Sequence, residues 1–128
     1  MTSVLNVDTI AAKDGTSAVT LTKQQAAKAW VNFDGTASGA AARDSFNLSG
    51  MTDNGTGNYT VTVSSAFSNI NFALAGMGGK ATNDQYAIMQ PRASSVPTTT
   101  ATVLNAAYND TNNADPTVAC VAYFGDLA

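Results

Sequence analysis

The chain has 128 residues, of which 45% are hydrophobic and only 12% are charged, and its net charge is -3. It contains no histidine, no glutamate and one cysteine, so it lacks a zinc ligand set and cannot build a Ser-His-Asp triad. Its few basic residues are scattered, whereas binding to nucleic acid needs clustered lysine and arginine. We therefore expect a protein that is not an enzyme, holds no metal or cofactor and binds no nucleic acid.

The first 28 residues differ in pattern from the rest of the chain. Residues 3–10 and 17–22 are strand-like runs separated by the turn sequence 13–16, and they predict either a hairpin or an extended arm. Residues 23–29 favour at most one helical turn. No basic start followed by a long apolar run is present, and no segment has transmembrane length, so we expect neither a signal peptide nor membrane insertion.

From residue 29 onward the pattern predicts a series of short strands. They are expected at residues 30–33, 43–48, 59–64, 71–75, 86–90, 101–108 and 117–124. We predict an all-β fold, an antiparallel β-sandwich of jelly-roll-like type over residues 29–128, preceded by an attachment arm over residues 1–28.

The sequence also predicts the structure of three segments that connect the strands. Residues 51–58 are rich in glycine and asparagine and predict a hairpin turn that leads into Tyr59, Val61 and Val63 on the core side. The glycine-rich run 76–79 is expected to end the strand before it. The polar loop 109–116 is expected to join the last two strands as a hairpin.

The last predicted strand is apolar on both of its faces. Val118, Cys120, Ala122 and Phe124 alternate with Ala119, Val121 and Tyr123. Such a strand is covered on both sides, and the second cover has to come from an arm, a loop or another subunit. This pattern favours an oligomer, and it predicts that Cys120 is a small buried hydrophobe rather than a nucleophile.

Three segments or residue sets could suggest a chemical site, but in each case an ordinary role in a turn or strand is the better interpretation. A pair of aspartates is able to act as acid and base on a glycoside, but the aspartates lie at turns or strand ends, and only Asp44 merits inspection in a structure. Residues 53–58 superficially resemble a calcium loop but lack its distal glutamate. Residues 74–81 lack the first glycine and the final serine or threonine of a P-loop.

Two kinds of side chain are candidates for contact with a partner or another subunit. They are apolar side chains of the arm, residues 1–28, and aromatic or apolar side chains of the later strands. Exposed aromatic side chains suit polar ligands and partner surfaces, and Trp30 and Tyr108 are the two to test for exposure. The predicted partner or subunit interface comprises Val4, Leu5, Val7, Ile10, Trp30, Tyr108, Val121 and Tyr123.

Three segments, residues 27–35, 43–49 and 52–61, resemble a recurrent family of small virion proteins from tailed bacteriophages, chiefly phages of aquatic bacteria. The resemblance spans roughly residues 3 to 65 and includes the start at residues 5–10. The chain departs from the family pattern at residues 36–42, which are longer and richer in alanine. The family has no catalytic residues to transfer to this chain.

The resemblance implies a structural protein on the exterior of a phage particle, in its head or its tail. We expect a homotrimer that contacts other virion proteins and, as a tail-fibre or fibre-tip component, presents loops to a host surface glycan or receptor. Two alternatives stay open. One is a capsid decoration, or cement, protein whose arm staples capsomers, and the other is a small carbohydrate-binding or carbohydrate-acting protein.

Overall fold

A computed structural model describes residues 26–80, 85–108 and 112–128 of the chain. These ranges contain eight strands: β1 Ala29–Asp34, β2 Ala41–Phe46, β3 Leu48–Asp53, β4 Asn58–Val63, β5 Ala73–Gly79, β6 Tyr86–Pro91, β7 Ala101–Ala107 and β8 Val118–Phe124. Within them, no helix is long and apolar enough to cross a membrane. The predicted strands at residues 3–10 and 17–22 lie outside the described residues.

All eight strands belong to one antiparallel sheet in the order β2-β1-β8-β5-β6-β7-β4-β3. The strands at the two ends of this order, β2 and β3, follow each other directly in sequence. The sheet is therefore nearly closed and has an inner and an outer face. The all-β antiparallel prediction is confirmed, whereas the two layers of a jelly-roll-like sandwich stay a prediction, because the hydrogen-bonded order is continuous.

A corner at Asn47 separates β2 from β3 and splits the single strand that we predicted at residues 43–48. Asn47 has a φ of 55°, a region that asparagine tolerates better than most residues. Its Nδ2 donates to the backbone oxygen of Lys28 at 3.0 Å, and its Oδ1 accepts from the backbone nitrogen of Ser65 at 2.7 Å. These bonds fix the corner against the segment that enters β1.

The inner face carries the core, and buried residues alternate with less buried ones along β1, β4, β7 and β8. The predicted core positions Tyr59, Val61 and Val63 of β4 are buried, which confirms their assignment. They pack with Val31 and Phe33 of β1 and with residues of β6, β7 and β8. Burying each large apolar side chain contributes about 1.5–3 kcal/mol, so this filled interior is the main source of stability.

The glycine-rich run at residues 76–79 does not end a strand, contrary to our prediction, but forms the second half of β5. Gly76 points inward, where an added Cβ would lie 2.8 Å from Met89 Cβ and 3.0 Å from Val121 Cγ2. Because neighbouring strands already fill that space, only glycine fits there. Gly76 is therefore required by the side chains of Met89 and Val121, which are distant in sequence, and the local sequence pattern gives no sign of them.

The predicted hairpin between the last two strands is also wrong. β7 pairs with β4 and β6, whereas β8 pairs with β1 and β5. Their connection crosses the open end of the sheet, where Pro116 is buried and its carbonyl accepts from the backbone nitrogen of Gly35 at 2.8 Å. Because this connection crosses the end of the sheet, β8 lies between β1 and β5 and not beside β7, where a tight hairpin loop would place it. The hairpin predicted at residues 51–58 is confirmed, since β3 and β4 pair directly.

The nearly closed sheet has two open ends, and different segments of the chain lie at each. We call one the arm end, because residues 26–28 enter β1 there beside Asn47 and Ser65. The other is the loop end, where the turns at residues 35–40 and 54–57 meet the loop 112–117. The segment before β1 and these loops therefore lie at opposite ends of the fold.

Candidate functional site

The outer face of five adjoining strands, β2, β1, β8, β5 and β6, is unusually apolar for a solvent-facing surface. Two rows of outward side chains cross these strands at paired positions: Phe46, Trp30, Ala122 and Ala75 in one row, and Asp44, Asn32, Cys120, Met77 and Ile88 in the next. Asp44 alone carries a charge in these two rows, and it lies at their edge. This face is the candidate functional site.

A groove of about 420 Å³ crosses the middle of this face, and we call it the outer groove. Trp30 of β1 and Met77 of β5 form its two walls, while the small side chains of Ala75, Cys120 and Ala122 form its floor. The groove exists because short side chains, two on β8 and one at Ala75 of β5, stand between the long side chains of Trp30 and Met77. None of its lining residues is charged.

Cys120 lies exposed on the groove floor, so the prediction that it is buried is wrong. The inward positions of β8 are Ala119, Val121 and Tyr123, and alternation places Cys120 on the opposite side. The Nδ2 of Asn32 donates a hydrogen bond to its Sγ at 3.2 Å. The Oδ1 of Asn32 is buried and has no hydrogen-bond partner among the described residues.

Next to the groove, four large side chains form what we call the outer patch: Met77, Tyr86, Ile88 and Val118. They are between 48% and 68% exposed, and they are contiguous because Met77 pairs with Ile88 while Gly79 lies between Val118 and Tyr86. A cluster of large apolar side chains on one face marks an interaction surface more often than isolated exposed ones do. Groove and patch together give the outer face the character of an interface.

The described aspartates act mainly in turns, as predicted. Asp34 Oδ1 accepts from the backbone nitrogen and the hydroxyl of Thr36, and Asp53 Oδ1 accepts from the nitrogen of Gly55. The Thr36 hydroxyl and amide, assisted by Arg43, hold the pKa of the Asp34 carboxyl below its usual value. Asp44 is exposed and accepts from the nitrogen of Ser45, with no second carboxylate in its pairing row.

The loop end contains a partly buried polar cluster around Asp115. Its Oδ1 accepts from the Tyr59 hydroxyl at 2.6 Å and from the Gly57 nitrogen at 2.7 Å. Burial, and then the hydrogen bond to Asp115, raises the pKa of Tyr59 well above its usual value. This cluster ties the connection before β8 to the β3–β4 hairpin, so its role is structural.

The structure separates the predicted interface residues into three groups. Trp30 lies on the outer groove and is half-buried. Tyr108, Val121 and Tyr123 are between 1% and 8% exposed inside the subunit, which removes them from an accessible partner surface. The arm residues Val4, Leu5, Val7 and Ile10 lie outside the described residues.

The sequence interpretation missed the residues that make up most of the outer face, among them Met77, Ile88 and Val118. Met77 escaped notice because it stands within the glycine-rich run 76–79, which we expected to end the strand before it. The sequence did contain one signal for this face, namely the last strand with apolar residues on both sides. In the structure its outer side is only partly covered, since Val118 and Cys120 are exposed while Ala122 and Phe124 are half-buried.

In the described part of the chain, no group of three or more histidine, cysteine or acidic side chains is arranged to hold a metal ion. Comparison of the chain with known protein families, curated proteins and solved structures found no match.

Proposed function

We propose that this chain is a non-enzymatic structural protein of a bacteriophage virion, a homotrimeric tail-fibre or fibre-tip component that presents loops to the host surface. The observation that carries the assembly part is the outer patch, where Met77, Tyr86, Ile88 and Val118 are 48–68% exposed on one face. An apolar surface of this kind is costly in water and favours association with another protein surface.

The arrangement of the two ends supports the same proposal. The segment before β1 leaves the fold at the arm end, and the turns at residues 35–40 and 54–57 lie at the loop end. A subunit of this shape attaches at one end and displays loops at the other. The virion assignment itself rests on the resemblance of residues 3 to 65 to small phage virion proteins.

Sedimentation of the purified protein tests the assembly step. We expect a species near three times the 13.1 kDa chain mass at micromolar concentration. The double variant Met77→Lys, Ile88→Lys should sediment as a folded monomer, because it places two charges on the contact surface. Val96→Lys is the matched control, since Val96 is 76% exposed on a loop outside this face and should leave the trimer intact. A wild-type protein that is monomeric under these conditions would contradict the proposal.

Immunogold labelling and quantitative mass spectrometry of purified phage particles test the location. A few dozen copies or fewer per particle, labelled on the tail, are expected for a fibre component. Hundreds of copies on the head would instead support a capsid decoration protein, and absence from particles would overturn the virion assignment.

A further inference from the structure

We propose that the outer groove is filled by residues 17–22 of a neighbouring copy of this chain, so that the subunits of the oligomer are joined by exchanged arms. This inference rests on the proposed homotrimer and names the contact that builds it.

The pattern of residues 17–22 matches what the groove requires. In an extended segment Val19 and Leu21 share one side with Ser17, and Thr20 and Thr22 share the other with Ala18. Such a segment covers an apolar surface with one side and keeps a polar side toward water. The six residues carry no charge and neither does the groove lining, so contact between them buries no unpaired charge.

The shape of the groove suits a single extended chain. Its floor of Ala75, Cys120 and Ala122 lies between the walls formed by Trp30 and Met77. Six extended residues span about 20 Å, which exceeds the five-residue stretch from Val118 to Ala122 along β8. When Leu21 packs against this floor, it covers the outer side of β8, where Cys120 is exposed in the described part of the chain.

The point where the chain enters β1 argues for a neighbour's groove rather than its own. The Lys28 nitrogen donates to the Tyr123 oxygen at 2.8 Å, and the Lys28 oxygen accepts from Asn47 at 3.0 Å. These bonds fix residue 28 in line with β1 at the arm end. A chain would have to reverse its direction before residue 28 to reach Trp30 and Asn32 of its own subunit. Residues 23–27 contain no glycine, proline, asparagine or aspartate to favour a tight reversal.

The length of the segment is sufficient for this exchange. Residue 22 lies four residues before Ala26, and residue 17 lies nine residues before it. When the chain is extended, these separations correspond to about 13 Å and 30 Å. A contact between the arm of one subunit and the face of the next is heterologous, and such contacts close into a ring when the rotation between subunits permits. Three subunits joined in this way form a trimer in which every groove is occupied.

The single cysteine of the chain allows a direct test, because Cys120 lies on the groove floor. In the full-length variant Leu21→Cys, oxidation with diamide should link residue 21 of one copy to Cys120 of the next. Nonreducing gels should then show covalent dimers and trimers, and adding Cys120→Ser should abolish them. Thr20→Cys is the matched control, since its side chain faces water, and it should give at least fivefold less linked product.

Alkylation of the wild-type protein provides a second measurement that needs no new cysteine. Iodoacetamide should modify Cys120 at least tenfold more slowly in the concentrated oligomer than after dilution to the monomer. The variant Leu21→Asp should remove this protection.

Two results would overturn the exchange. One is a disulfide formed within a single chain, located by peptide mass mapping, and the other is an alkylation rate that ignores both concentration and Leu21→Asp. If either occurs while the protein still sediments as a trimer, the exchange fails and the proposed assembly stands. A wild-type monomer would instead show that the proposed assembly fails.

Discussion

The substitution Gly76→Ala tests the claim that the glycine-rich half of β5 exists because the interior is crowded. An added Cβ would lie 2.8 Å from Met89 Cβ and 3.0 Å from Val121 Cγ2. Met89 Cβ cannot rotate away from the clash, so overpacking should cost about 1–3 kcal/mol. Gly79→Ala is the matched control in the same strand, because its Cβ would meet only the Gln85 oxygen at 4.0 Å. Removing a flexible glycine there should leave stability unchanged or raise it by up to about 1 kcal/mol.

Urea unfolding followed by the fluorescence of the single tryptophan, Trp30, measures both variants. Protein concentration has to be kept equal, since association stabilises the folded state. We expect the midpoint of Gly76→Ala to fall with an unchanged m value, and its thermal midpoint to fall by about 4 °C for each kcal/mol lost. Equal midpoints for the two variants would refute the crowding argument, because only at Gly76 does the new methyl group enter space that other atoms already fill.

The remaining predictions concern the buried tyrosines. In the monomeric background Met77→Lys, Ile88→Lys, Tyr59→Phe removes the 2.6 Å hydrogen bond to Asp115 and should cost about 1.5–3 kcal/mol of unfolding free energy, whereas Tyr86→Phe, at a 55% exposed side chain, should change it by less than about 0.5 kcal/mol. A loss of the same size in both variants would contradict the role of this bond. Burial raises the pKa of both Tyr59 and Tyr123 above their usual value, so each stays protonated in the fold when the unfolded chain loses its proton. The stability that this contributes is fully present below about pH 10 and is lost as the pH rises toward the raised pKa, by about 1.4 kcal/mol per pH unit for each tyrosine. Chemical unfolding at pH 8 to 11 measures this slope, and a flat profile above pH 10 would contradict the burial of these phenols.

Local pattern was sufficient for the class of the fold and for much of its core. Alternation in residues 59–64 identified Tyr59, Val61 and Val63 as core positions, and the residues at 51–58 identified a hairpin. Both features depend on neighbours in sequence, where side-chain period and turn chemistry act directly. The doubly apolar β8 also indicated a surface in need of cover, which the outer groove and outer patch now locate.

What the sequence determined by itself is a strand-forming chain with few charged residues, whose apolar residues alternate at a period of two. Only the tertiary structure decided which strands are neighbours and therefore which side chains share a face. The glycines of β5 looked like a break because the crowding at Gly76 comes from Met89 and Val121, which are distant in sequence. Cys120 looked buried because its immediate neighbours are apolar, but the closure of the sheet assigned it to the outer face. Pairings between distant strands depend on long-range packing, so local pattern cannot specify them.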